Sequence, residues 1–258
     1  MPIYILLMAK PYLHQFLSKT GVFSSKKEIL DSIHKGQIKI DDKIVISPRY
    51  QVKRHKKVTW RNKEINVLKD KIYVLMNKPK GYLSTRLSEN DKKLGKKSMF
   101  SLIKDIDDRL KQSLFNIGRL DEDTSGLIIL TNDGKLSNLI ARPESEIEKK
   151  YFVSLKDELS DSNKEKIEKG IKIELEENWK KIPYITKPCK IEIKDRRNIL
   201  ITLSEGKKRE IKRIFEAVNN KVQELRRVSI GKINLDELNI KEGCYEQVSK
   251  EFILKKIG

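Results

Sequence analysis

The chain has 258 residues, 38% of them hydrophobic, enough for a core in one large domain or in two unequal ones. Its 56 lysines and arginines against 37 acidic residues give a formal net charge of +19, which favours a polyanionic partner and salt-sensitive binding. Only 13 of those 56 are arginine, so a lysine-rich composition also contributes to the excess. Cys189 and Cys244 are far apart in sequence and form no Cys-x-x-Cys, and His14, His34 and His55 do not cluster at ligand spacing. Neither a disulfide framework nor a metal site is expected. No apolar run reaches the roughly 18 residues of a membrane-spanning helix, so a cytoplasmic protein without a membrane partner is expected. Residues 1–7 read as an extension, with Met8 as an alternative start.

Residues 10–60 read as a compact module. Tyr12, Leu13, Phe16 and Leu17 recur at helical spacing, with Gly21 as a stop. Ser24 or Ser25 caps a second helix carrying Ile29, Leu30 and Ile33, closed by Gly36. Ile38 and Ile40 alternate, Asp41 and Asp42 supply a turn, and Ile44, Ile46 and Val52 predict further short strands. Lys53–Lys63 carries six basic residues, no acid and Trp60, and reads as a basic loop open to solvent or to phosphate. Residues 61–71 predict a polar linker.

From Ile72 the character changes. Ile72–Asn77 predicts a buried strand ended by the turn Lys78-Pro79-Lys80-Gly81, and residues 89–97 a lysine-rich mobile loop. Phe115–Gly118 and Gly126–Thr131 read as strands, and Asn132–Gly134 turns into a helix with Leu136, Leu139 and Ile140 on one face. A strand follows at Lys150–Leu155, a helix at 161–169, and strands near 171–175, 189–194 and 198–203. Lys207–Asn219 predicts a helix with Ile211, Ile214, Phe215 and Val218 on one side and basic residues over most of the rest. Lys221–Ile230 is a long strand carrying Arg226 and Arg227. The fold class expected is α+β: a mainly antiparallel mixed sheet over residues 72–254, preceded by a small α+β domain at 10–60.

The segment richest in chemistry is Gly118-Arg119-Leu120-Asp121-Glu122-Asp123-Thr124-Ser125-Gly126, continuing to Gly134. A carboxylate on a loop held between two core strands suits a nucleophile, and the glycines allow close turns. Judged by residue type alone, Asp121, Asp123 and Thr124 serve equally well as turn and capping residues, which is their commoner role. A magnesium nuclease built on Asp121 and Asp123 lacks the further carboxylates it would need.

This segment closely resembles the Gly-Arg-Leu-Asp-x-x-Thr-x-Gly-Leu-Leu-x-Leu-Thr-x-Asp-Gly signature of the bacterial small- and large-subunit ribosomal RNA pseudouridine synthases that carry an N-terminal S-four-type RNA-binding domain. Three further segments resemble that family in the same order: Asn77–Gly81 with Ser84 and Thr85, Lys149-Lys150-Tyr151, and Ser204–Phe215, where Glu210 and Lys212 stand in place of the commoner Gln and Arg. Lys10, Leu13, Phe16, Leu17, Gly21, Ser25 and Lys26 keep the shape of the S-four pattern, with His14 in place of its Asp.

The resemblance implies that Asp121 is the nucleophile, that Lys212 pairs with it, and that the ring of Tyr151 holds the target base out of its stack. It implies further that Leu203 floors the pocket, that Arg119 supports the nucleotide or a phosphate, and that Arg209, Arg213, Arg226 and Arg227 track the RNA backbone, with Lys10 and Lys26 binding RNA from the first domain. The partner it implies is ribosomal RNA, in a pre-ribosomal particle, met by a single chain with no cofactor. The run Arg209–Arg213 looks more like the large-subunit branch. The alternatives are a small-subunit enzyme and a non-catalytic, ribosome-associated RNA-binding protein.

Overall fold

The computed structural model describes residues 10–53, 55–177 and 180–257. The reading of Met1–Met8 therefore lies outside the described residues. The chain divides into two compact units, one holding the described residues up to Ile72 together with Lys104–Phe115, the other holding Tyr73–Ile103 and the chain from Asn116 onward.

In the first unit, helices Leu13–Ser18 and Lys26–His34 lie against one small sheet. The second helix starts at Ser25, whose hydroxyl accepts the Glu28 N–H at 3.1 Å while the Glu28 carboxylate accepts the Ser24 N–H at 2.8 Å. That reciprocal cap satisfies donors the first helical turn leaves open. Its Ile29 and Ile33 join Leu13, Leu17 and Phe23 in a common core. The sheet runs β2-β1-β3-β4, built from β1 (Ile38–Ile40), β2 (Lys43–Ile44), β3 (Val58–Trp60) and β4 (Lys63–Glu64). Asp41 and Asp42 turn β1 into β2 with φ of 47° and 64°, which short polar side chains tolerate.

The stretch expected as a basic loop is instead a hairpin in its second half. Val58 is buried, Trp60 meets the Phe23 ring at 4.8 Å, and the Arg61 guanidinium lies 4.7 Å from the Trp60 ring. Apolar burial outweighs the local charge there, while Arg54 is outside the described residues. Of the three strand candidates after the turn, only Ile44 lies in a strand. The later segment adds helix Asp108–Ser113, where Arg109 donates to the Thr20 carbonyl at 3.0 Å.

In the second unit the strands are β5 (Tyr73–Lys78), β6 (Tyr82–Leu83), β7 (Lys97–Ser98), β8 (Phe115–Ile117), β9 (Ser125–Thr131), β10 (Lys149–Leu155), β11 (Lys172–Glu177), β12 (Lys180–Ile185), β13 (Lys190–Ile193), β14 (Asn198–Leu203), β15 (Val222–Ile230), β16 (Ile233–Asn234) and β17 (Tyr245–Gln247). The main sheet runs β13-β14-β10-β15-β9-β5-β17. Every pairing on that path is antiparallel except β15 with β9, which makes this an α+β fold with a mixed sheet. The parallel pair is a seam between two cores. On one side Val153, Ile199, Ile201, Ile214 and Phe215 pack together; on the other, Leu75, Leu127, Ile129, Leu136, Ile140 and Ile253.

Asp133 fastens the second half. It caps helix Gly134–Ala141 by accepting the Lys135 N–H at 2.9 Å, and it takes the Tyr73 hydroxyl at 3.1 Å and the Lys250 ammonium at 2.9 Å. Burial pushes its carboxyl up, but the hydrogen bonds from Lys250 and Tyr73 outweigh that and hold it below the usual range.

The expected loop at 89–97 contains helix Glu89–Lys93 and runs into β7. The Ser88 hydroxyl accepts the Asp91 N–H at 3.1 Å and the Asp91 carboxylate accepts the Ser88 N–H at 2.9 Å, a capping box that overrides the run of lysines. The expected helix at 207–219 is shorter, Glu210–Glu216, because Arg209 takes a left-handed φ of 55°. Among the described residues no helix is long and apolar enough to cross a membrane.

Gly126 closes the seam. Its φ is +105°, and a Cβ there would fall 2.2 Å from the Arg227 carbonyl oxygen and 2.6 Å from its nitrogen. Gly126→Ala is expected to destabilise the protein by about 3 kcal/mol, combining strain at positive φ with overpacking, and to lower Tm by roughly 6–12 °C. Thermal melting checks this; a Tm within about 2 °C of wild type would show that the seam can open at little cost.

Candidate active site

The loop from Gly118 to Thr124 joins β8 to β9 beside the seam, and several of its backbone groups are tied down. The Ser84 hydroxyl donates to the Leu120 carbonyl at 2.6 Å and accepts the Leu120 N–H at 3.1 Å. The Gly81 N–H donates to the Glu122 carbonyl at 2.7 Å, and the Thr124 N–H to the Asp121 carbonyl at 3.1 Å. Beneath the loop the Lys78 side chain is fully buried. Its ammonium donates to the carbonyls of Thr124 at 2.7 Å, Asp121 at 3.1 Å and Pro79 at 3.1 Å. Burial pushes the Lys78 amine down to about 8, against the pull of Asp123, Asp121 and Glu122. Below that pH the loop rests on a cation.

Above the loop opens a cavity of about 510 Å³. Arg119 and Asp121 line it from the loop, Tyr151 from β10, Leu203 from the end of β14, Leu225 from β15, and Glu205 to Ile211 from the turn and helix that follow β14. Asp121 engages the protein through its backbone carbonyl, and the residue, half-buried, lines this space. Tyr151 also packs against the core of the β10–β14 half, so one face of its ring is fixed. Arg119 and Arg209 are exposed on the rim, and Leu203 is buried. Five of the residues expected at the site, Asp121, Tyr151, Arg119, Leu203 and Arg209, therefore share one cavity.

The others are placed differently. Lys212, its side chain only 9% exposed, pairs with Asp123 and not with Asp121 as expected. An ammonium is a point charge that cannot span two carboxylates as a guanidinium fork could. Burial raises the Asp123 carboxyl, but the Lys212 hydrogen bond and charge prevail and it sits below its ordinary value. Arg213 leans to Glu176 at 3.6 Å and lines a separate cavity of about 560 Å³. Arg226 is tied to Asp236 at 2.6 Å.

Arg227, expected to track an RNA backbone, is in the interior at 4% exposure. It donates to the Leu127 carbonyl at 2.7 Å, with its guanidinium 6.0 Å from the Tyr151 ring centre. It braces the wall behind Tyr151, because its strand is central and its side chain points into the sheet's covered face. Lys10 and Lys26 are exposed residues of the first unit.

Sequence reasoning gave Lys78, Ser84 and Glu205 no role at the site, although all three fall in segments that resemble the family. Lys78 ends a strand whose six residues are all buried, so its charge has to be met by backbone carbonyls. In sequence it stands at the start of a Lys-Pro turn, where an exposed lysine is the ordinary case.

The family model described as RNA pseudouridylate synthase matches residues 72–217. The chain is 32% identical to the ribosomal large subunit pseudouridine synthase B of Bacillus subtilis (strain 168), over 88% of each chain. It is 30% identical to the ribosomal small subunit pseudouridine synthase A of Vibrio cholerae, over 88% of this chain and 92% of the other. A crystal structure described as that of a pseudouridylate synthase matches with a TM-score of 0.65 at 30% identity, over 96% of this chain and 99% of that one. With this fold, this cavity and these relatives, the chain belongs to the RNA pseudouridine synthase family, and its activity is the formation of pseudouridine in RNA.

Proposed function

We propose that the chain isomerises a specific uridine of ribosomal RNA, with Asp121 as the nucleophile. The reaction breaks the bond between uracil N1 and ribose C1′ and joins C5 to C1′; the C5 proton leaves and N1 gains one. Nothing is oxidised and no group is transferred, so the chemistry calls for no cofactor. The observation that carries the reading is the placement of Asp121, whose backbone is pinned by Lys78 and which lines the same cavity as Tyr151.

On this reading the target base leaves its stack and rests on Tyr151, while Leu203 floors the pocket and Arg119 and Arg209 meet flanking phosphates. Lys212 neutralises Asp123 and so acts on Asp121 through the shared loop. Lys10 and Lys26 are proposed RNA contacts of the first unit, read as an S-four-type domain at residues 10–60 and followed by a linker at 61–71 and the catalytic domain at 72–254. The enzyme is proposed to work as a single chain in the cytoplasm on a pre-ribosomal particle. Arg209–Arg213 favours the large subunit, while relatives bearing both subunit names support ribosomal RNA as the class.

Tritium release from RNA labelled at uridine C5 tests the substrate. Release is expected from ribosomal transcripts, free or partly assembled, and the large-subunit transcript is expected to respond. Release from the small-subunit transcript alone would reassign the branch, and tight binding without release from either would make this a binding protein. Tyr151→Leu is expected to cut turnover by roughly 5- to 150-fold, the equivalent of about 1–3 kcal/mol of base stacking. Its Tm should stay within a few degrees; a large fall in Tm with turnover kept would mean that Tyr151 only fills the core.

A further inference from the structure

In the turn Ser204–Arg209, residues 205–209 form one wall of the cavity together with the first residue of the helix behind it. Two carboxyl groups hold that wall. The Glu205 carboxylate accepts the Lys187 N–H at 2.7 Å and the hydroxyl of Tyr184. Glu210 is 4% exposed, and one of its oxygens accepts the Lys207 N–H at 2.7 Å, which closes the turn. Its other oxygen is buried and meets no donor. The Glu205 carboxyl lies within hydrogen-bonding reach of Glu210. Two ionised carboxylates in contact away from water repel strongly, whereas a carboxylic acid against a carboxylate makes a short, strong hydrogen bond.

We propose that Glu210 and Glu205 hold one proton between them, and that this proton keeps the Ser204–Arg209 wall in place, making Glu210 a positioning residue for the cavity. Protonated on its orphaned oxygen, Glu210 donates to Glu205 and accepts from Lys207, the donor and acceptor pattern of a glutamine amide, but one that pH can erase. Burial, reinforced by Glu205, pushes the Glu210 carboxyl up to about 8. The hydrogen bonds of Glu205 to Glu210 and Tyr184 overcome its own burial and keep it below the ordinary range. The groups facing the pair from neighbouring elements do not supply an alternative proton in this window. Tyr184 is pushed up to about 12 by its bond to Glu205 and by burial. The Cys189 thiol is pushed to about 12 by burial. Lys149, which burial lowers, and Lys207 face the pair as the cations.

The folded chain thus keeps a proton that the unfolded chain releases above a pH of about 4.5. Stability falls as pH rises from there to about 8 and levels off beyond. The experiment is thermal melting of the full chain against pH for wild type, Glu210→Gln and Glu205→Gln, with tritium release measured on the same proteins. The Tm advantage of Glu210→Gln over wild type is expected to widen by at least roughly 3 °C across that window and then stay constant. In Glu205→Gln the like charge is gone, so Glu210 titrates lower and the pH-dependence shifts to lower pH.

The link to turnover rests on reading this cavity as the catalytic site. The ratio of Glu210→Gln to wild-type turnover is expected to rise roughly tenfold from about pH 7 to about pH 9. Lys78, which titrates at about 8 in both proteins, cancels in that ratio. A Tm gap independent of pH overturns the shared proton. A widening gap with a flat turnover ratio overturns its role in positioning the cavity. If no protein releases tritium from any RNA, the functional reading fails, and the melting curves still decide the proton.

Discussion

A buried lysine carries the arrangement on which the cavity depends. Removing an ammonium from water costs several kcal/mol, and Lys78 offsets that cost by giving its donors to the carbonyls of Asp121, Thr124 and Pro79. Two of those carbonyls belong to the loop, that of Asp121 itself and that of Thr124 three residues later. The same short segment contributes the Ser84 hydroxyl and the Gly81 N–H to Leu120 and Glu122. Residues 78–84 and 120–124 are therefore one hydrogen-bonded piece, and Gly126 lets that piece close against β15 without a Cβ in the way. The side chain of Asp121 is free to serve a ligand because its backbone carries the structural load.

Electrostatics separates the two aspartates of the loop. Asp123 has a cation of its own in Lys212, while among the described residues no ion pair reaches Asp121, which lines the cavity instead. The pair of Lys212 with Asp123 is half-exposed on the carboxylate side, so its contribution to stability is modest, about 0–1 kcal/mol. Its effect is on geometry, since it draws the far end of the loop toward helix Glu210–Glu216. The positive field at the cavity comes from Lys78 below, from Arg227 behind Tyr151 and from the arginines on the rim. A polyanion approaching that rim meets charge of the opposite sign before it reaches the carboxylate.

Much of this was legible in the chain. The serine pair Ser24–Ser25 and Gly36 bracketed a helix because capping chemistry is local, and β5 and β9 stood out because their residues are buried on both faces. The segment around Asp121 was readable as a loop between two strands, and its likeness to a known signature singled out one aspartate among three acidic neighbours. Other features were hidden because tertiary contacts decide them. Nothing local distinguishes Lys78 from the exposed lysines around it, nor tells Arg227 in the interior from Arg226 beside Asp236. The likeness to a known signature paired Lys212 with Asp121, whereas its ammonium meets Asp123, a choice between two neighbouring carboxylates that only the folded loop makes. The helix at Glu89–Lys93 was masked by lysines, although its Ser88–Asp91 cap was in plain view.

The central claim is that one carboxylate, at one position on a fixed loop, performs the chemistry. Single-turnover tritium release with Asp121→Asn and Asp121→Glu at saturating RNA tests it most directly. Asn keeps the shape and removes the charge; Glu keeps the charge and moves it by one methylene. Both should lose at least about a thousandfold in rate while RNA affinity and Tm stay close to wild type. Turnover retained in Asp121→Asn would contradict the account and move the nucleophile to another group in the cavity.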